Sequence, residues 1–191
     1  MDKLYSVKKF KTWDGFKKFV NQLSEDWVFR GQSNSKWELT TSLERTTFYK
    51  NHEKIEQFYL TDFQRGAKNY LDDAPQFNEI LEWLAIMQHH GAATRLIDFT
   101  RSPYIASYFA YEKVESEEYV SVWTLNIKSI QAQAEQYIRN SGFLVDEFKK
   151  SNGKLSDEIF TKIFFINDFF CVFGVEPFNM NKRYFLHKHY F

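Results

Sequence analysis

Gln88-His89-His90-Gly91-Ala92-Ala93-Thr94-Arg95-Leu96-Ile97-Asp98-Phe99-Thr100 crowds two imidazoles, a guanidinium, a carboxylate and two hydroxyls between apolar elements. Just upstream, Phe77, Ile80, Leu81 and Leu84 recur at helical spacing, which predicts a helix over about 76–88. Gly91 then ends that helix as a C-terminal cap. Leu96-Ile97-Asp98-Phe99 is short and apolar enough for a strand, and Pro103 suits the first turn of a further helix carrying Ile105, Tyr108 and Phe109. Polar groups packed this densely are costly to bury without partners. Either they bond one another to hold a turn, or they face a ligand.

Working outward, Trp13, Phe16, Phe19, Val20 and Leu23 mark a first helix with Thr12 as its N-cap. Trp27-Val28-Phe29 reads as a strand that delivers Arg30 and Gly31 to its end, followed by the turn residues Ser33-Asn34-Ser35. A helix over about 51–67 is expected to turn Ile55, Phe58, Tyr59 and Phe63 inward. Tyr119 to Leu125 alternates apolar and polar residues and is the clearest strand. Helices are expected near 130–139 and 156–166, with Ser151-Asn152-Gly153-Lys154 as a loop between them. Cys171 to Val175 reads as a strand, Pro177 to Asn181 as a turn and Arg183 to Phe191 as a last strand. There is no internal repeat or linker. The expected fold is a single α+β domain over 1–191, with a helix-rich first half on a small mixed or antiparallel sheet.

Composition excludes several classes. Aromatic residues make up 19% of the chain, which suits packing and stacking on flat ligands rather than disorder. Lys plus Arg and Asp plus Glu are equal at 25 each, so no global field draws a polyanion, and a dedicated nucleic-acid coat is disfavoured. The single Cys171 lies in an apolar run and reads as a structural thiol. The first residues have no signal-peptide core, and no apolar run is long enough to span a bilayer, so a cytoplasmic protein away from membranes is expected.

Arg30 has the most exacting setting of any charge. A guanidinium at a strand end can hold a phosphate or carboxylate through paired hydrogen bonds, and Gly31 would let a backbone approach closely. The alternative is a buried pair with an acid such as Glu56. His89 and His90 are adjacent and could not easily share a metal, and no Cys pair or His-x-x-x-His spacing accompanies them, so no metal is expected. In an extended 96–100 segment, Asp98 and Thr100 would share a face and Arg95 would point away. An Arg95–Asp98 or Arg101–Asp98 ion pair is the structural alternative there. The standard nucleotide loops and the Gly-x-Ser-x-Gly elbow do not occur, and Ser33 and Ser42 have no neighbouring base.

Phe29-Arg30-Gly31-Gln32, then Trp37, the 88–100 block, and Pro103-Tyr104-Ile105-Ala106-Ser107-Tyr108-Phe109-Ala110 together resemble the bacterial FRG domain, a family named for its Phe-Arg-Gly tripeptide. Its second block typically reads Gln-His-x-Gly-x-x-Thr-Arg-Leu-Leu-Asp-Trp-Thr, and nearly every position matches. The resemblance spans roughly residues 10 to 191. It implies a distant similarity to the ADP-ribosyltransferase-like fold with its split sheet, and a toxin or phage-defence setting in bacteria. The family's closing pattern, Asn-x-Arg-x-x-x-Gln-x-Gly-x-Phe, is met by Asn181, Arg183 and Phe191, with His187 and His189 as departures. Many members continue past the position of Phe191, so a short variant, or a part missing or supplied by another protein, is expected.

What the resemblance implies chemically is NAD as a substrate, with ADP-ribose passed to a protein or nucleic-acid acceptor. Arg30, His90 and Asp98 are the implied catalytic residues, with Glu56 or Glu176 supplying the glutamate. Phe29, Gly31, Gln32, Trp37, Thr94, Arg95 and Thr100 are the implied ligand-binding residues. An antitoxin or sensor protein is the implied regulatory partner. The alternative is a non-catalytic module on the same fold, sensing a nucleotide, nucleic acid or protein.

Overall fold

A computed structural model describes residues 5–46, 52–67, 69–114, 119–142, 155–166, 171–175 and 189–190. Its frame is an antiparallel sheet centred on β1 (Trp27–Gln32). Beside β1 runs β3 (Ser121–Asn126), paired along its full length from Trp27 opposite Asn126 to Gln32 opposite Ser121. On the other side lies β2 (Phe99–Thr100), which shares the single register pair Phe29–Thr100 with β1. A two-residue β4 (His189–Tyr190) extends the sheet beyond β2, giving the order β3-β1-β2-β4. The expected α+β fold on a small antiparallel sheet is what forms.

Strand alternation splits β1 between two cores. Phe29 faces α1 (Trp13–Val20) and α5 (Pro103–Glu112), packing with Val20 and Ala106. Val28 faces the opposite side, with Phe99, Trp123 and Leu125. Both helices start as their sequences dictate. The Thr12 hydroxyl caps α1 by accepting from the Gly15 amide at 3.2 Å, and Ser102 with Pro103 opens α5. Gly31 is a point of close approach: a β-carbon there would lie 1.9 Å from the Ala106 carbonyl oxygen and 2.6 Å from the Ala110 nitrogen. Helix α5 rests directly on the β1 backbone.

A third core joins α3 (His52–Ala67), α4 (Ile80–His89) and α7 (Asp157–Phe160), the last running into a π-helical turn at Thr161–Ile166. Here α3 departs from expectation. Phe58 and Tyr59 are 67% and 43% exposed, and the buried positions are Glu56, Leu60 and Gln64. That spacing is helical, but two of the three residues are polar. Each is buried because a partner meets it, Arg95 for Glu56 and the Phe77 carbonyl for Gln64.

Helix α4 begins at Ile80 rather than near 76. The Glu79 carboxylate accepts from the Gln76 amide at 2.6 Å, closing a turn that leaves Phe77 exposed. Its Leu81 amide, left without an intrahelical acceptor, donates to Asp157 Oδ1 on α7 at 2.7 Å. Its end is as expected. Gly91 has φ of 82°, and the paired bonds from the Ala92 amide to the Met87 carbonyl and the Gly91 amide to the Gln88 carbonyl complete a Schellman cap.

Two expected strands are corrected. Leu96 to Asp98 does not join the ladder, because the Arg95 amide donates to Glu56 and the Leu96 amide to Thr94 Oγ1. Residues 171–175 are not a strand; Phe173 and Cys171 pack instead against the cluster of Ala134, Ile138, Ile159 and Ile163. This cluster rests partly on α6 (Ile127–Asn140), which follows β3 directly. The expected loop at 151–154, turn at 177–181 and most of the strand at 183–191 lie outside the described residues, as does Glu176.

Candidate functional site

Beyond Phe29 the β1 backbone has a ladder partner only on its β3 side, since β2 is two residues long. A cavity of about 940 Å³ opens there, between the end of β1, the 33–40 loop, α4 and α5. Phe29, Arg30, Gly31, Gln32, Trp37, Asp98 and Thr100 all border it. So do Gln88, His89 and Arg45, which are not among the expected catalytic or ligand-binding residues.

Arg30 lies on the Val28 side of the strand. Its Nη1 donates to the Asp98 carbonyl at 2.9 Å, and its Nε is buried with no hydrogen-bond acceptor. Burial pulls the guanidinium below its ordinary value; Asp98 opposes that shift and Arg45 adds to it. An arginine remains cationic at neutral pH regardless. The pair that the sequence offered as an alternative, Arg30 with Glu56, does not form: Glu56 is taken by Arg95.

The Asp98 carboxylate is held from α4. Gln88 Nε2 donates to Asp98 Oδ1 at 2.6 Å, while Gln88 Oε1 accepts from Thr94 Oγ1 at 2.6 Å. Thr94 is fully buried, and its backbone is gripped from α2 (Ser42–Thr46). The Ser42 hydroxyl accepts from the Thr94 amide and donates to the Thr94 carbonyl, which also accepts from the Leu43 amide. Ser42 is therefore a structural hydroxyl.

The expectation that His90, Thr94 and Arg95 line the same cleft is corrected by the geometry. Thr94 lies behind the wall as the support of Gln88. Arg95 points away, as strand alternation suggested. Its amide donates to Glu56 Oε1 at 2.8 Å and its Nε to Glu56 Oε2, with Glu56 at 0% exposure. The Arg95 guanidinium also sits 5.1–5.7 Å from the ring centres of Phe160, Phe164 and Phe165. Burial pushes the Glu56 carboxyl up, against the pull of Arg95. His90 caps α4 outside the cavity wall, and His89 borders the cavity in its place.

The remaining wall residues divide by what holds them. The Gln32 amide is engaged at both ends, accepting from Trp123 Nε1 at 2.6 Å and donating to the Glu38 carbonyl at 3.3 Å. Thr100 Oγ1 accepts from the Ser102 amide at 3.2 Å and is nearly buried. Trp37 is 55% exposed and offers an open ring. Carboxylates at the cavity are Asp98, Glu38 and Glu112. Among the described residues no group of His, Cys, Asp and Glu is arranged to hold a metal ion, and no helix is long and apolar enough to cross a membrane.

Arg45 could have been found in the sequence. Thr41-Ser42-Leu43-Glu44 is a capping box, with the Thr41 hydroxyl accepting from the Glu44 amide and the Glu44 carboxylate accepting from the Thr41 amide. It starts a helix whose fourth residue is Arg45.

No curated protein and no solved structure matches the chain. Residues 25–119 match the model of the FRG domain family. Every residue bordering the cavity, from Phe29 to Lys113, falls inside that span. The chain carries an FRG domain, and the cavity is built entirely within it.

Proposed function

We propose that the cavity binds NAD and that the domain transfers ADP-ribose to a protein or nucleic-acid acceptor, in the manner of ADP-ribosyltransferase-like domains. The observation that supports this best is Arg30: a guanidinium with a buried, unpartnered Nε bordering a cavity of dinucleotide size, with carboxylates and an open indole in the same wall. Arg30 would grip a phosphate or ribose, and Trp37 would stack on a flat ring. Asp98, Glu38 or Glu112 would stabilise the electron-poor ribosyl carbon. In that step the ribose–nicotinamide bond breaks and its electron pair leaves with nicotinamide. The acceptor then bonds to the ribosyl carbon and loses a proton. Modification of an essential acceptor would arrest growth, which suits a toxin or antiviral effector.

One observation favours recognition without transfer. Glu56, one of the two glutamates implied for catalysis, is locked behind the wall on Arg95, and the Asp98 carboxylate is already held by Gln88. The test is incubation with labelled NAD and cell lysate, beside Arg30→Ala. Nicotinamide release that Arg30→Ala abolishes supports transfer. Binding without turnover supports the recognition module, and absence of binding removes NAD from both.

A further inference from the structure

We infer that Arg30 and Arg45 form a two-guanidinium subsite for a phosphoryl group at the neck between the main cavity and a smaller one. The smaller cavity, about 170 Å³, is walled by Ser42, Gly91, Ala92, Leu96 and Ile97. Arg30, Thr40, Arg45, Gln88 and Asp98 border both cavities, so this cluster is the neck.

The two cations come from unrelated parts of the chain, the end of β1 and the capped helix α2. Each donates to a neutral backbone carbonyl. Arg45 Nη1 is fastened to the Thr40 carbonyl at 2.6 Å, a neutral partner that aims the guanidinium and lowers the cost of ordering it on binding. The carboxylate beside it in sequence, Glu44, is occupied with the cap of α2. Arg30 donates to the Asp98 carbonyl, while Gln88 holds the Asp98 carboxylate. Two guanidiniums against one carboxylate leave the neck net positive.

A buried donor without an acceptor is unfavourable, and Arg30 Nε is one. Burial depresses the Arg30 guanidinium, Asp98 opposes that, and Coulomb repulsion from Arg45 adds to the depression. Both penalties are relieved by one anion placed between the two groups. Two guanidinium forks can use more than two acceptor oxygens, which a phosphoryl group supplies and a carboxylate does not. Asp98 and Gln88 on the same neck would then meet hydroxyls beside the phosphate, as on a ribose.

This inference rests on the nucleotide reading of the cavity, but its test separates the two. Inorganic pyrophosphate and NAD are titrated calorimetrically at low salt into wild type, Arg45→Ala and Arg45→Lys. Arg45 is exposed, and thermal unfolding checks that the variants stay folded. Wild type is expected to bind pyrophosphate, Arg45→Ala to lose at least tenfold for both ligands, and Arg45→Lys to recover only part. Arg45-dependent pyrophosphate binding without NAD binding keeps the subsite and sinks the NAD reading. NAD binding unchanged in Arg45→Ala keeps that reading and overturns the subsite. Failure of wild type to bind pyrophosphate also overturns it.

Discussion

Gly31 and Ala106 meet backbone to backbone, with room for no side chain on the strand: a β-carbon on Gly31 would sit 1.9 Å from the Ala106 carbonyl oxygen. The glycine of the Phe-Arg-Gly tripeptide is therefore required by α5, whatever ligand approaches from the cavity. Because the obstacle is backbone, no side-chain rotation can relieve it. Gly31→Ala is expected to destabilise the chain by about 3 kcal/mol or more, beyond ordinary overpacking. Urea unfolding measures it, and a loss under about 1 kcal/mol would show that α5 can move aside.

The Glu56–Arg95 pair joins α3 to the 88–100 segment from the side opposite the cavity. Removing one partner leaves a buried charge uncompensated, so Glu56→Ala and Arg95→Ala should each cost about 3–5 kcal/mol. Replacing both by apolar residues of similar volume should cost much less than the sum. A double-mutant cycle by chemical denaturation reads this coupling directly. Strict additivity would mean the two residues act separately.

Gln88 spans two partners with one amide. Gln88→Leu keeps the volume but removes the acceptor of the Thr94 hydroxyl and the donor to Asp98 Oδ1, an expected cost of about 1–3 kcal/mol. Ligand affinity should fall as well, because Asp98 loses its support. In contrast, Glu56→Gln should lower stability and leave affinity nearly unchanged, since Glu56 lies behind the cavity wall. Calorimetric titration beside thermal unfolding distinguishes the two behaviours; equal affinity losses would contradict the division.

Burial pushes the Cys171 thiol up to about 11 from 9.0. At pH 8 its reactive thiolate is much scarcer than in the unfolded chain, on the order of 100-fold, so alkylation of the native protein should be markedly slower. The sign for stability follows from the raised value. The contribution of the neutral thiol is complete below pH 9 and is lost as pH rises through about 11. Cys171→Ala should remove that part of the alkaline decline, as thermal unfolding at pH 8 and pH 11 would show.

Local chemistry was legible in the sequence wherever one element decides its own fate. The Thr12 cap, the Ser102–Pro103 start, the Gly91 stop and the alternation that yields β3 (Ser121–Asn126) all depend on neighbours a few residues away. The buried face of α3 was not legible, because an apolar count cannot foresee a glutamate paid for by an arginine 39 residues on. The shortness of β2 was hidden for the same reason: upstream of it the Arg95 amide is taken by Glu56 on α3 and the Leu96 amide by Thr94 Oγ1.

The candidate site divides along that line. By itself the sequence placed Arg30 beside a strand core and set Asp98 and Thr100 apart from Arg95, although it ended β1 too early and made 96–98 a strand. Only the tertiary structure decided that Arg30 is bonded to Asp98, that Arg95 belongs to Glu56, and that Arg45 joins the cavity. The physical reason is range. Capping and strand alternation are set by chain geometry over a few residues, whereas the partner of a buried charge is chosen by whichever opposite group the packed helices bring within reach.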